Sequence, residues 1–402
     1  MDKRNYYNSV TQQVMELQSL AQIQVDKCFD FEKMQKIMPM EVGSAIRRVI
    51  ATGCGDSYSA AGAMKPAMRE LSGIYECSTP DAIDFCRYYT DRKILQGNSP
   101  EEVLVISISF SGNSERAAEV LDRAKSAGVH SLTITGNSTS KCASAAELVL
   151  DVETPDGCNT PGLRSYYASM VALCAVGAYL GVCRGRLTRG SFTEIGQKIS
   201  DYTVQFTSNI QNIDSQMFET AISMKDLHKF EAIADWNEGF SAQFIEQKLI
   251  ECSGAFCDHT TSEEFAHISF FQRDPSSYGM IVIATKDDPS LSRMRDTIGG
   301  CLEQHRKTLV VTDADAEQFK VHPHEINSSV NIYGSAEIGK NALEEAIDPV
   351  VCCIPAAPER WMYPLVDFIP GSLLAGYHAA VNEHFFFDGR YDFRNQTWTM
   401  HD

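Results

Sequence analysis

The stretch RVIATGCGDSYSAAGAM, residues 48–64, decides the fold. It opens as an apolar run, turns on two glycines and continues rich in alanine, which reads as a buried strand, a tight turn and a helix. Strands that feed directly into helices build parallel sheets. The pattern recurs at once: VLVISISFSG, residues 103–112, reads as a strand, 114–127 as a helix, and SLTITGN from Ser131 as the next strand. It returns with HKFEAIAD from His228, YGMIVIATK from Tyr278 and KTLVVTDA from Lys307. Arg48 and Val103 are 55 residues apart, and His228 and Tyr278 are 50; Val103 to Ser131 is 28, and Tyr278 to Lys307 is 29. The expectation is an α/β protein of two three-layer αβα modules with parallel, flavodoxin-like sheets, related by a pseudo-twofold repeat.

Working outward, residues 1–45 form a helical opening and 46–186 the first module. Residues 187–226 form a polar helical connector, 227–384 the second module and 385–402 a tail over the active site. Each module is expected to close on an apolar helix, over 166–182 and about 365–383. A length of 402 residues with 44% hydrophobic and 22% charged content suits two globular cores and no fibrous or disordered class. The net charge of -18 argues against nucleic acid as a partner, while leaving room for a small anion in a local pocket. Thirteen cysteines without a CxxC pair or regular spacing read as reduced thiols. The opening MDKRNYYNSVTQQ has no apolar signal core, and the longest apolar span, 170–183, falls short of the roughly 20 residues that cross a membrane. A cytoplasmic protein with no membrane partner is expected.

Two turns carry the first chemical signal. Gly53-Cys54-Gly55-Asp56-Ser57 ends one strand and opens a helix, where unpaired N–H groups suit an anion. Ser109-Phe110-Ser111-Gly112-Asn113-Ser114 ends the next, with three hydroxyls and a helix start. Either turn alone is also an ordinary helix cap. Together, at the carboxyl ends of neighbouring strands, they lie where open α/β sheets bind ligands. Asp56 would repel a phosphate unless it points away.

GCGDS followed by SFSGNS resembles the signature turns of the SIS (sugar isomerase) domain, and the resemblance extends over about 48–402. It implies two SIS modules, with sugar phosphate bound by Ser57, Ser109, Ser111 and Ser114 beside Gly55 and Cys54. It also implies that a loop at 158–162, containing Thr160 and Gly162, closes over the sugar.

The second module carries a different signal. FSAQFIEQKLIECSGAF, residues 240–256, reads as a helix with Lys248 and Glu251 three apart on one face. That pair alone could be a surface ion pair. SEEFAHISFF follows, with His267 sixteen residues after Glu251. The combination is similar to the second SIS copy of the isomerase module of glucosamine-6-phosphate synthase and of the fructosamine-6-phosphate deglycases. By that resemblance Glu251 moves a proton between C1 and C2 of an opened sugar, His267 assists ring opening or leaving-group protonation, and Lys248 holds the carboxylate or an oxygen. A carboxylate shielded from water and an imidazole are suited to such proton transfers near neutral pH. The resemblance further implies a homodimer or larger homo-oligomer with shared sites.

Two departures from the synthase matter. Asp2 stands where its glutaminase has a nucleophilic cysteine, and aligning its Arg-Asn pair with Arg394-Asn395 puts Trp398 at its Schiff-base lysine. A glutamine-independent deglycase acting on fructosamine 6-phosphates is therefore expected, with Arg394 and Trp398 in the substrate pocket. It would need no cofactor, because the substrate carbonyl is the electron sink. No metal is expected either, since His322-Pro-His324 and Cys352-Cys353 lack a third ligand at useful spacing. An amino-sugar phosphate deaminase or a ketose-aldose isomerase, a non-catalytic sugar-phosphate sensor, and a purely structural second copy remain the alternatives.

Overall fold

The computed structural model describes residues 1–320 and 348–387. Among these, the first sheet holds β1 (Arg48–Gly53), β2 (Glu76–Ser78), β3 (Val103–Ile108), β4 (His130–Thr135) and β5 (Leu148–Asp151). The second holds β6 (Lys229–Ile233), β7 (Phe256–Thr260), β8 (Tyr278–Ile283), β9 (Lys307–Thr312) and β10 (Val350–Cys353). Every pairing is parallel. The orders are β2-β1-β3-β4-β5 and β7-β6-β8-β9-β10, so the two sheets share one topology, the flavodoxin-like order. Helices cover both sides, and the expected pair of αβα modules is what forms.

The central strands are the ones readable as sequence. β1 and β3 are buried at all six positions, so both faces demand apolar or hydroxyl side chains and the run looks continuous. The outer strands β2, β5, β7 and β10 are three to five residues long with mixed exposure, and no clear pattern announces them. One expectation is corrected here. The helix read over 240–256 spans Gly239–Ser253; Gly254 turns it off at φ +65°, and Phe256 already belongs to β7.

The chain divides into two units. The first gathers Tyr7–Gln211 and Ala357–Val366 around the first sheet; the second gathers Met1–Tyr6, Asn212–Ala356 and Asp367–Phe385 around the second. The polar stretch 187–226 contains two helices, Arg189–Thr207 and Ile210–Ser223.

The first unit is built around the helix Leu163–Cys183, which starts before the apolar span visible in the sequence and is buried at nearly every position. Its 21 residues are long and apolar enough to cross a membrane, yet 94% of its apolar window is buried within the protein. Gly177 and Gly181, four apart and therefore on one face, press against the helix Lys65–Ser72. A Cβ on Gly177 would lie 3.2 Å from Met68 Cα, and one on Gly181 would run into the Leu71 carbonyl oxygen.

A Gly181→Ala substitution should therefore destabilise the protein by about 1–3 kcal/mol, the usual cost of overpacking. Gly190→Ala is the control, because its methyl would meet nothing nearer than Thr188 Oγ1 at 3.6 Å. It should be neutral or stabilising by up to about 1 kcal/mol. Denaturant unfolding measures both, and an unchanged midpoint for Gly181→Ala would refute the close helix packing.

Candidate functional site

The first turn leaves β1 at Gly53 and opens the helix Asp56–Ala63. Gly53 has no room for a side chain, since a Cβ would lie 2.6 Å from Ser57 Cβ and 3.1 Å from the Ile108 carbonyl oxygen. Gly55 is needed for conformation instead: φ is +54°, and no atom stands within 4 Å of its missing Cβ. The helix start has no side-chain cap at Gly55. The second turn leaves β3 and ends at Ser114, the N-cap of the helix Glu115–Ser126, whose Oγ accepts from Ala117 N at 3.3 Å. Capping uses the oxygen and leaves the hydroxyl proton to donate. Gly112, at φ +68°, packs where a Cβ would collide with Ser140.

These turns meet. Desolvation pushes the Cys54 and Cys142 thiols up from their ordinary value, against the opposing pull of the Ser114 side chain on the first and of Ser109 on the second. Ser111 accepts weakly from Asn113 N at 3.4 Å. The structure thus brings Cys54 together with Ser114 beside Gly55, Ser57, Ser109 and Ser111, at the ends of adjacent strands. It also adds a third turn that sequence reasoning missed. Asn137, Thr139 and Ser140 follow β4, and Ser140 caps the helix Lys141–Ala145 while supporting Gly112. The run GNSTS straight after a strand was the available signal.

Asp56 faces the loop 158–162. A Cβ on Gly162 would lie 2.7 Å from Asp56 Oδ2 and 2.9 Å from Ser165 Oγ, so the carboxylate approaches the start of the core helix. A carboxylate at a helix amino terminus is favourably placed. In the same loop Thr160 accepts from the Cys158 thiol at 3.3 Å through its carbonyl oxygen.

In the second unit, Lys248 Nζ donates to Glu251 Oε2 at 2.5 Å. The lysine side chain is fully buried and its partner about one-third exposed, so the carboxylate stands between a fixed cation and solvent. His267 ends the helix Ser262–His267 on the surface, and its Nε2 pairs with Glu263 Oε1 at 2.9 Å rather than with Glu251. Arg293 Nε donates to the other oxygen of Glu263, also at 2.9 Å. The turn beyond His267 is held by Arg306, which donates from Nη2 to Ser269 O at 2.9 Å and from Nη1 to Gln272 Oε1 at 3.0 Å. Arg306 is itself buried beside Glu231.

The turns of the second sheet that correspond to the hydroxyl turns differ in chemistry. After β6 come Asp235, Trp236 at φ +54°, Asn237 and Glu238; after β8 come Lys286, Asp287 and Asp288. Glu238 accepts from Thr285 Oγ1 at 2.9 Å and Asp235 from Ser262 Oγ at 2.6 Å. Carboxylates in these places accept hydrogen bonds, whereas a phosphate needs donors.

The SIS domain family profile matches residues 44–179, which contain both hydroxyl turns. The chain carries a SIS domain. No curated protein matches the sequence. Among solved structures, the chain is similar to the C-terminal domain of glucosamine-fructose-6-phosphate aminotransferase from Francisella tularensis, with 15% identity over 95% of this chain and 98% of that one and a TM-score of 0.76. It is also similar to tagatose-6-phosphate ketose/aldose isomerase from Escherichia coli, with 12% identity over 92% of each chain and a TM-score of 0.65. Glucosamine-6-phosphate deaminase from Thermotoga maritima shares 14% identity over 95% of this chain and 97% of that one, with a TM-score of 0.60. At such identities the likeness is one of fold, and it extends beyond the SIS domain to the second sheet.

Arg394 and Trp398, expected near the substrate, lie outside the described residues, as do His322 and His324. Beyond the SIS domain, one group among the described residues has metal-ligating types together: Glu246, Asp258 and His259, with ligand atoms within 4.8 Å of one another. Glu246 Oε2 and His259 Nδ1 are 2.5 Å apart, and this hydrogen bond raises the imidazole pKa. The Glu246–His259 contact links the helix Gly239–Ser253 to β7. Asp367, just ahead of the helix Phe368–Val381, is wholly buried. Burial pushes its carboxyl up to about 7, against the opposing pull of Ser241 and backbone N–H groups.

A carboxyl raised in the folded state favours folding at low pH. The stability that Asp367 contributes is present in full below about pH 4, its unfolded value, and is lost as pH rises through about 7. Thermal unfolding of the wild type should accordingly show a decline across that window that Asp367→Asn flattens. Parallel pH profiles for the two proteins would show that the carboxyl does not titrate in the fold.

Proposed function

We propose that this protein is a cytoplasmic sugar-phosphate enzyme, a deglycase acting on fructosamine 6-phosphates. The observation that carries this reading is the Lys248–Glu251 pair at 2.5 Å. A buried ammonium holds one carboxylate oxygen in place, and the partly exposed group can act on a carbon acid. The hydroxyl turns of the SIS domain support the phosphate half of the reading. Neutral O–H and N–H donors suit a dianion in a chain of net charge -18.

In this mechanism Glu251 removes a proton from C1 of the open-chain ketosamine, and the electron pair moves through C2 to its carbonyl oxygen. Protonation of that oxygen gives an enaminol. Reprotonation at C2 then yields the C1 imine of glucose 6-phosphate. Water adds to the imine, and the amine leaves with a proton that His267 is placed in the scheme to deliver. One water enters, and glucose 6-phosphate and an amine or amino acid leave; no electrons are gained or lost overall. His267 would serve this role in a homodimer or larger assembly with shared sites, as the family resemblance suggests.

The fold likeness to a deaminase and to a ketose/aldose isomerase supports a second reading with the same first proton transfer. Incubating the protein with fructoselysine 6-phosphate, glucosamine 6-phosphate and tagatose 6-phosphate separates the outcomes. Release of lysine is expected, whereas ammonia alone or ketose-aldose interconversion alone would overturn the deglycase assignment. Glu251→Gln should lower kcat by at least about a hundredfold, the usual scale for a proton-transfer group, while sugar-phosphate binding is kept. Retained turnover would remove Glu251 from the mechanism.

A further inference from the structure

Gln13 lies on the short helix Ser9–Met15, far in sequence from the SIS domain turns. Its side chain is fully buried. Nε2 donates to Pro161 O at 2.7 Å, while Oε1 accepts from Leu163 N and from Arg164 N, both at 3.1 Å. A carboxamide is the side chain that can donate and accept through two adjacent atoms. Here it bonds to both sides of Gly162, the last residue of the loop 158–162, and supplies the cap that the core helix lacks at that residue.

Glu16, three residues further on and just past that helix, helps hold the chain that leads into the same loop. Arg164 is buried; its Nη1 is 3.2 Å from Glu16 Oε2, and its Nη2 donates to Pro155 O at 2.7 Å. Gly157 packs so closely on that guanidinium that a Cβ would collide with it. The helix carrying Gln13 is itself fixed, because Asn8 caps Val10 and Thr11 through its side chain and its backbone N–H donates to the Thr11 hydroxyl at 2.9 Å. The loop's far end then meets the anion turn, with Asp56 filling the place where Gly162 lacks a Cβ. Contacts therefore run without a break from Gln13 through Pro161 and Gly162 to Asp56, the neighbour of Ser57.

We infer that Gln13 is a positioning residue that sets the loop 158–162 against the first turn and thereby governs affinity for the sugar body of the ligand rather than for its phosphate. The inference rests on the sugar-phosphate reading proposed above. The phosphate is assigned to hydroxyls and backbone N–H groups that Gln13 does not touch, while the loop end is what Gln13 grips. Losing one buried hydrogen bond and leaving its partners unsatisfied corresponds to a change of roughly five- to thirtyfold in an equilibrium.

The test uses the full chain and the variants Gln13→Leu and Gln13→Glu. Glucose 6-phosphate and inorganic phosphate are titrated by calorimetry, and amide exchange is followed across 156–167. In Gln13→Leu, glucose 6-phosphate should bind roughly tenfold more weakly, inorganic phosphate within a factor of about two, and exchange should quicken at 163–164 but not at 170–180. Gln13→Glu keeps the acceptor for the helix N–H groups, so it should restore protection at 163–164 and recover part of the sugar-phosphate affinity. An equal loss for both ligands, or unchanged exchange at 163–164, would overturn the inference. If the wild type binds neither ligand, the sugar-phosphate reading fails and the affinity claim with it; unchanged exchange alongside intact binding would sink the tether alone.

Discussion

The arrangement of this protein depends on the parallel pairing of β1 with β3. Six residues pair in register from Arg48↔Val103 to Gly53↔Ile108, so both strands end at one level and both turns open at one edge. This is where the strand order reverses, with β2 beyond β1 and β4 beyond β3. Helices leaving such neighbours diverge to opposite faces and leave a crevice. Complete burial of both strands pins the register, since a slip of one residue would exchange their faces. The meeting of Cys54 with Ser114 follows from that alignment.

The second sheet repeats the pairing between β6 and β8, from Lys229↔Tyr278 to Ile233↔Val282, and the same reversal of order. Its turns nevertheless carry carboxylates where the first sheet carries hydroxyls. Glu238 accepts from Thr285 and Asp235 from Ser262, which ties the turn after β6 to those after β8 and β7. The residues proposed for proton transfer lie elsewhere, on the body of the helix Gly239–Ser253 and at the end of Ser262–His267. The two sheets thus share one backbone arrangement at these turns, while the described side chains there are hydroxyls in the first and carboxylates in the second.

What the sequence made legible was the backbone skeleton of each copy. Six central strands announce themselves because burial on both faces selects continuous apolar runs, and two turns do so because glycine and hydroxyls are concentrated there. The outer strands were silent for the opposite reason: β2 has three residues and β7 alternates irregularly between buried and exposed positions. The core helix begins ahead of its apolar span because Arg164 and Ser165, polar by type, are buried in its first turn, the guanidinium with the help of Glu16 and Pro155. The orientation of Asp56 was equally hidden, being set by the missing side chain of a glycine more than a hundred residues away.

The contacts that could not be read share one physical form. Gln13 donates to Pro161 O, Arg164 to Pro155 O and Arg306 to Ser269 O, each a buried side chain reaching a main-chain carbonyl in a loop next to a proposed functional group. Such a tether costs desolvation of a polar group, so it persists only where its bonds are well made. An apolar residue of similar size at position 13 would bury as well but would leave the carbonyl and N–H groups there without partners, and at position 306 it would also strip the buried Glu231 of β6 of its cation. What an apolar contact cannot do is fix a loop in direction, because dispersion is not directional while a hydrogen bond is. Gln13 and Arg164 therefore belong to the placement of loops, while Arg306 also pairs with the buried Glu231 of β6. For the same reason no periodicity reveals them: each satisfies a carbonyl whose position is known only once the sheet has formed.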